Sequence, residues 1–142
     1  MEKSNVLTLG LLADARPAVI DPLNNGQGTI LYNHNIREVY VEVGENGELT
    51  EVETQTEKSV SMYRYDSVRV EYPTTGDNIF STLLSAKYPS STESKLANEY
   101  QSAVLGLLPK DAKEPYKAFL QDRIAIRNMV DADCNTYNIP IE

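Results

Sequence analysis

Histidine occurs once in this 142-residue chain, cysteine once, and tryptophan not at all. The single cysteine, Cys134, rules out an internal disulfide and fits a reducing compartment. One histidine and one cysteine cannot supply the three or four nitrogen and sulfur ligands that hold zinc. No G-x-S-x-G turn exposes a serine, and Cys134 has no second histidine to activate it. Glycine patterns for nucleotide phosphates are missing too; "NNGQG" at 24–28 is turn chemistry. No apolar run approaches the ~20 residues that span a bilayer. The opening "MEKSNVLTLGLLADARPA" lacks the positive lead of a secretion signal and is broken by Gly10, so a soluble protein is expected. Cations are scarce as well: 13 Lys and Arg stand against 21 Asp and Glu, for a net charge of −8. Such a surface repels phosphates, which argues against a nucleic-acid partner.

What is present suffices for a folded domain, because 41% of the residues are apolar and they are spread along the chain. Residues 1–28 read as an N-terminal arm punctuated by Pro17 and Pro22, in which "VLTLGLL" is either an added strand or an apolar strap. Residues 29–142 read as a single α+β domain. Its first part, 29–72, predicts a small antiparallel three-stranded sheet. Val39, Val41 and Val43 alternate with Glu38, Tyr40 and Glu42, whereas Ile30, Tyr32 and Ile36 sit on the opposite parity. One extra residue near Ile36–Glu38, a bulge, would reconcile the halves. Asn46-Gly47 marks a tight turn into a polar second strand over 49–55. "SMYRYDSVRVEYP" is the third strand, ended by Pro73.

After Pro73 the period turns helical, and three helices are predicted over 77–88, 91–105 and 115–133. Thr75 or Asp77 caps the first, which carries Ile79, Phe80, Leu83, Leu84 and Tyr88 on one face. Ser90 and Glu93 form a capping box for the second, whose apolar face is Leu96, Tyr100, Ala103, Val104 and Leu107. Pro115 suits the start of the third, and an extended tail follows Cys134. Strands followed by helices argue for an α+β fold over alternating βαβ units.

Three groups of residues carry the chemical questions. His34 sits on the first strand, where Asp66 could pair with it across strands although no sequence signal requires this; without the other parts of a catalytic site it reads as a half-exposed strand side chain. "DADCNTYNIPIE" places Asp131, Asp133, Asn135 and Glu142 at the spacing of calcium ligands in a helix–loop–helix site. Thr136 stands where that loop needs glycine, and Pro140 stiffens it, so no metal or cofactor is expected. On the third helix Tyr116, Phe119, Leu120, Ile126 and Val130 define an apolar face with Arg123 and Arg127 near its middle. Unpaired buried guanidinium is costly, so these arginines either meet carboxylates of the sheet or second helix, or Tyr116, Phe119, Arg123 and Arg127 contact a partner chain.

The series "YNHNIREVYVEV", "YRYDSVRVEYPTTGDNIFSTLLSAKYP", "LANEYQSAVLGLL" and "YKAFLQDRIAIRNMV" resembles small phage and prophage proteins of gut anaerobes encoded near tail or tail-fibre genes. The resemblance covers residues 29–133. It implies a tail-fibre assembly chaperone or minor virion protein, acting in the bacterial host cytoplasm during assembly or within the particle. It also implies binding to a phage structural protein, such as a tail fibre or a neighbouring subunit, with self-association open beside it. It supplies no catalytic residues. The alternative is a small enzyme or ligand-binding domain that uses His34, Asp66 and the strand tyrosines.

Overall fold

A computed structural model describes residues 6–142 and shows an α+β protein with an antiparallel sheet and three α-helices. The chain forms two compact units, one reaching to Tyr72 and one starting at Pro73.

The first unit is a sheet of five strands: β1 (Leu7–Ala13), β2 (Ile20–Pro22), β3 (Ile30–Val43), β4 (Leu49–Val52) and β5 (Ser59–Val70). This corrects the expectation of three, because the segment read as an arm supplies β1 and β2. The order is β1-β5-β3-β2, and β4 pairs with the far half of β3. β1 is hard to read as a strand because an extra residue at Leu9–Gly10 breaks its alternation. β2 is only three residues long and ends on Pro22, which a sheet accepts at an edge where no ladder donor is needed. Asn46-Gly47 does turn the chain between β3 and β4: Gly47 has φ +83°, and the Gly44 amide donates to the Glu48 carbonyl at 2.7 Å.

The parity conflict inside β3 is resolved by a bulge. Register runs His34 opposite Asp66 and then Arg37 opposite Arg64, so Asn35 and Ile36 together face Tyr65. The extra residue carries Ile30, Tyr32 and His34 onto the same face as Val39 and Val41. β5 runs unbroken and sets Val68 and Val70 opposite Tyr32 and Ile30. Tyr32, Val41, Val68 and Val70 are fully buried, each contributing about 1.5–3 kcal/mol.

Both strands flanking β5 bulge at the same level, and one side chain holds both. The Gly10 amide donates to Asp66 Oδ1 at 2.9 Å, and Asn35 Nδ2 donates to Asp66 Oδ2 at 3.1 Å. Arg64 Nη1 donates to the Gly10 carbonyl at 2.7 Å, and Arg37 Nη1 to the Asn35 carbonyl at 3.0 Å. Gly10 (φ +71°) and Asn35 (φ +53°) occupy the left-handed region, which glycine and asparagine tolerate best.

The second unit contains α1 (Gly76–Lys87), α2 (Ser90–Val104), a short 3₁₀ turn over Lys110–Lys113, and α3 (Glu114–Tyr137), which packs on α1 and α2. Thr75 caps α1, its Oγ1 accepting from the Asn78 amide at 3.2 Å. The expected Ser90–Glu93 box does not form. Pro89 is the N-cap of α2, Ser90 lies inside the first turn, and the Thr92 and Glu93 amides donate to the Pro89 carbonyl. α3 runs one turn beyond its predicted end and stops on Asn138 in the left-handed region, with the Ile139 amide donating back to the Cys134 carbonyl at 2.9 Å.

The segment after α3 returns to α1. The Gly76 and Asp77 amides, orphan donors of the first turn, donate to the Pro140 and Ile141 carbonyls at 2.8 and 2.7 Å. A Cβ at residue 76 would stand 3.1 Å from Cys134 Sγ and from Ile141 Cδ1, and 3.3 Å from Ile141 Cα, so glycine permits this approach.

Asp66→Ala should remove the acceptor shared by two bulges and cost about 2–4 kcal/mol in urea denaturation. Asp66→Asn, which keeps one acceptor, should cost less. Gly76→Val should cost about 1–3 kcal/mol by overpacking and speed hydrogen exchange of the Asp77 amide.

Candidate functional site

His34 lies on β3 and is only 8% exposed, which corrects the expectation of a half-exposed side chain, because the bulge carries it onto the buried face shared with Val39 and Val41. Its ring stacks on Tyr32 with centroids 5.2 Å apart and planes 13° from parallel. Nδ1 is 3.1 Å from the Tyr32 carbonyl, an acceptor, so that contact places the proton on Nδ1. Register sets Asp66 directly opposite, as the sequence reading allowed. Yet both carboxylate oxygens of Asp66 accept from the bulges, from Gly10 and Asn35. The pair is built as part of the sheet's central joint. Alongside it, Asn33 and Ser67 face each other across β3 and β5 with Asn33 Oδ1 and Ser67 Oγ buried and unbonded, while Asn33 Nδ2 donates to the Ala18 carbonyl at 2.7 Å.

The strand tyrosines differ in burial. Tyr32 is fully buried, Tyr40, Tyr63 and Tyr65 are half-buried, and Tyr72 lies beyond β5, largely exposed.

In the second unit the four residues singled out on α3 have divergent surroundings. Phe119 is buried, edge-on to Tyr88 at 4.8 Å and stacked on Tyr116 at 5.9 Å; Tyr116 also meets Tyr100 at 5.4 Å. This aromatic chain joins all three helices, so Tyr116 and Phe119 are internal packing. Arg127 lies with its guanidinium carbon 4.9 Å from the Phe80 ring centre, and Nη2 is 3.0 Å from both Asp77 and Asp131. Its partners come from α1 and its own helix, where the sequence had suggested the sheet or α2. The hydrogen bond to Asp131 leads the interactions that raise its pKa. Arg123 rides over the same Phe80 ring at 5.2 Å and is exposed. Of the four, Arg123 is the one whose charged end remains at the surface.

The calcium spacing is not a loop. Asp131, Asp133 and Asn135 lie within α3, where a helix points alternate residues apart. Asp131 accepts from Arg127 Nε at 3.1 Å. Asp131 and Asn135 do line a cleft of about 490 Å³ with Cys134, Asn138, Ile139 and Ile141. Among the described residues no group of three or more His, Cys, Asp and Glu gathers for a metal. Burial pushes the Cys134 thiol up, with Asp131 and Asp133 adding to it, so the group stays protonated and unreactive near neutral pH.

The surface feature that sequence reasoning missed is at the end of α2. Val104, Leu105, Leu107 and Leu108 are 52%, 70%, 74% and 39% exposed. Leu107 had been placed on the helix's apolar face, but α2 ends at Val104 and Gly106 turns with φ +79°. The sequence reading already ended the helix at Gly106 and Pro109 but kept Leu107 on its face; beyond the glycine the i+11 position no longer shares that face. On α3, Leu120 and Ile124 are also exposed, at 38% and 59%. Among the described residues no helix is long and apolar enough to cross a membrane.

No family model, curated protein or solved structure matches this chain.

Electrostatics at the α1–α3 contact generates a pH dependence. Tyr88 donates to Asp122 Oδ2 at 2.6 Å, and Lys87 Nζ approaches the same oxygen at 2.9 Å. Burial, then the Asp122 hydrogen bond and charge, push Tyr88 up to about 12. Burial alone would raise Asp122, but the Tyr88 and Lys87 hydrogen bonds outweigh it and hold the carboxyl below its usual value. The Tyr88 contribution is therefore intact below its unfolded value of about 10 and is lost as pH rises from there through about 12. The Asp122 contribution is intact above its unfolded value of about 3.9 and is lost as pH falls through its lowered folded value. Melting temperatures across this range should show an alkaline loss in the natural protein that is reduced in Tyr88→Phe.

Proposed function

We propose that this protein works without catalysis, by binding another protein, and that its setting is a bacteriophage, as a tail or tail-fibre assembly factor or a subunit of the particle. The binding half of this reading is carried by the run of exposed leucines at the end of α2. Four large apolar side chains exposed within five successive residues are a liability in a protein that has no partner to cover them. Further support comes from His34, whose ring is stacked and bonded to backbone, and from Asp66, whose oxygens serve the bulges. The phage setting rests on the resemblance of residues 29–133.

The enzyme alternative draws on the His34–Asp66 register, but a general base needs a proton to abstract within reach and a pocket for substrate. The nearly complete burial of His34 favours the binding reading.

Co-expression with the product of a neighbouring tail-fibre gene, together with mass spectrometry of purified particles, tests the proposal. An assembly factor should at least double soluble fibre protein and be absent from particles; a subunit should appear in particles at a stoichiometry set by symmetry. Leu105→Ser/Leu107→Ser should reduce whichever result is seen. A protein that neither aids the fibre nor enters the particle overturns the reading.

A further inference from the structure

Asparagine precedes glycine at two places, Asn25-Gly26 and Asn46-Gly47. Such a pair can close on itself, because a glycine nitrogen approaches the carboxamide carbon with no side chain in the way. The structure holds the two pairs in nearly the same state. Asn25, Gly26, Asn46 and Gly47 are all exposed. Gly26 has φ +77° and Gly47 φ +83°, and nothing stands within 4 Å of a Cβ built on either. Each asparagine forms an Asx turn: Oδ1 of Asn25 accepts from the Gln27 amide at 3.0 Å, and Oδ1 of Asn46 from the Glu48 amide at 3.0 Å. The ring that this bond closes contains both the carboxamide carbon and the glycine nitrogen. In each turn the donated proton also sits where negative charge develops if that nitrogen attacks.

The pairs differ at the nucleophile. The Gly47 amide donates to the Gly44 carbonyl at 3.0 Å, whereas the Gly26 amide has no protein partner among the described residues. We propose that Asn25 is a site of spontaneous modification, deamidation through a cyclic imide with Gly26, and that Asn46 is protected by its turn. The Gly26 nitrogen gives its proton to solvent and bonds to the Asn25 carboxamide carbon. The bond from that carbon to Nδ2 then breaks, and Nδ2 takes a proton from water and leaves as ammonia. Water opens the five-membered ring at either carbonyl, leaving aspartate or isoaspartate at position 25. One water is consumed, one ammonia is released, and nothing is oxidised or reduced. At Asn46 the Gly47–Gly44 bond must break before the attack, which slows it by about 3- to 10-fold. The Asn25 carboxamide is also held, Nδ2 donating to Thr29 Oγ1 at 3.1 Å, but that bond is to the leaving nitrogen and survives the attack.

The product changes the loop between β2 and β3. The Thr29 hydroxyl accepts from Asn25 and donates to Glu71 Oε1 at 2.7 Å. Thr29 is 1% exposed, and the Leu23 amide donates to its carbonyl at 3.0 Å, which closes the loop. Hydrogen bonds from Thr29 and then Arg69 hold the Glu71 carboxyl below its usual value, so it stays charged near neutral pH. A carboxylate at position 25 brings no donor. It faces Thr29 as a second acceptor for one hydroxyl proton, beside a charge of its own sign. The bond between positions 25 and 29 is lost and the loop loosens around Leu23. Isoaspartate adds one carbon to the backbone of the Asx turn as well.

Incubation of the full chain at mildly alkaline pH, followed by peptide mapping that separates aspartate from isoaspartate, tests the assignment. Acid products should build up at position 25 about 3- to 10-fold faster than at position 46 in the folded chain. The two rates should converge in urea, where neither glycine amide is held. Asn25→Gln should abolish the products at position 25. Equal rates in the folded chain, faster conversion at position 46, a ratio that persists in urea, or no conversion at position 25 overturns the proposal. Asn25→Asp, compared with the natural chain by hydrogen exchange, should speed exchange of the Leu23 amide several-fold with circular dichroism unchanged. Unchanged exchange at Leu23 overturns the effect assigned to the product.

Discussion

One carboxylate organises the sheet. Asp66 sits on β5, the strand between two irregular neighbours, and accepts from the Gly10 amide on one side and the Asn35 side chain on the other. Each neighbour carries one residue more than a flat ladder allows, and without a shared acceptor each extra residue would leave polar groups with poorer partners. Arg64 and Arg37 complete the arrangement by donating to the Gly10 and Asn35 carbonyls. The bulge in β3 brings Tyr32 and His34 to the same face as Val39 and Val41. The burial of those side chains therefore depends on a polar contact at the middle of the sheet.

The second unit solves a different problem with arginine. Arg127 occupies a half-buried place on α3, where an unpaired charge would be costly, and both Asp77 and Asp131 approach it while Phe80 lies beneath. Asp77 belongs to the first turn of α1, so its charge also favours the positive end of that helix. The aromatic chain from Tyr88 through Phe119 and Tyr116 to Tyr100 ties the remaining helix contacts. Three of the four side chains first considered for a partner, Tyr116, Phe119 and Arg127, thus bind the helices to each other.

Much of this was legible in the residues, for reasons of period. Three helices and their inward residues, such as Ile79, Leu83, Ile126 and Val130, follow from 3.6-residue spacing, and the bulge in β3 follows from a parity that could not otherwise be satisfied. β1 was ambiguous because Gly10 interrupts its alternation, so seven residues never show a clean period of two. β2 was too short to have a period at all. The capping box failed because a Ser-x-x-Glu match says nothing about which residue turns the chain, and Pro89 did so first. The calcium spacing, set aside in the sequence because of Thr136 and Pro140, falls largely within a helix, since α3 continues to Tyr137. The exposure of Leu107 was hidden because it was kept on the helical face although Gly106, here with positive φ, had been read as the helix end.

The return of the Pro140–Ile141 backbone to Gly76 and Asp77 joins the start of the helical unit to residues more than sixty positions later. A helix emerging from the ribosome can ordinarily satisfy its first turn with water or its own side chains, and domains tend to complete as units while synthesis proceeds. Here the last two capping acceptors of α1 come from backbone synthesised after α2 and α3. The helix made first in this unit is thus the one whose opening turn is sealed last, and a ribosome paused anywhere between the two would hold it with that turn still open.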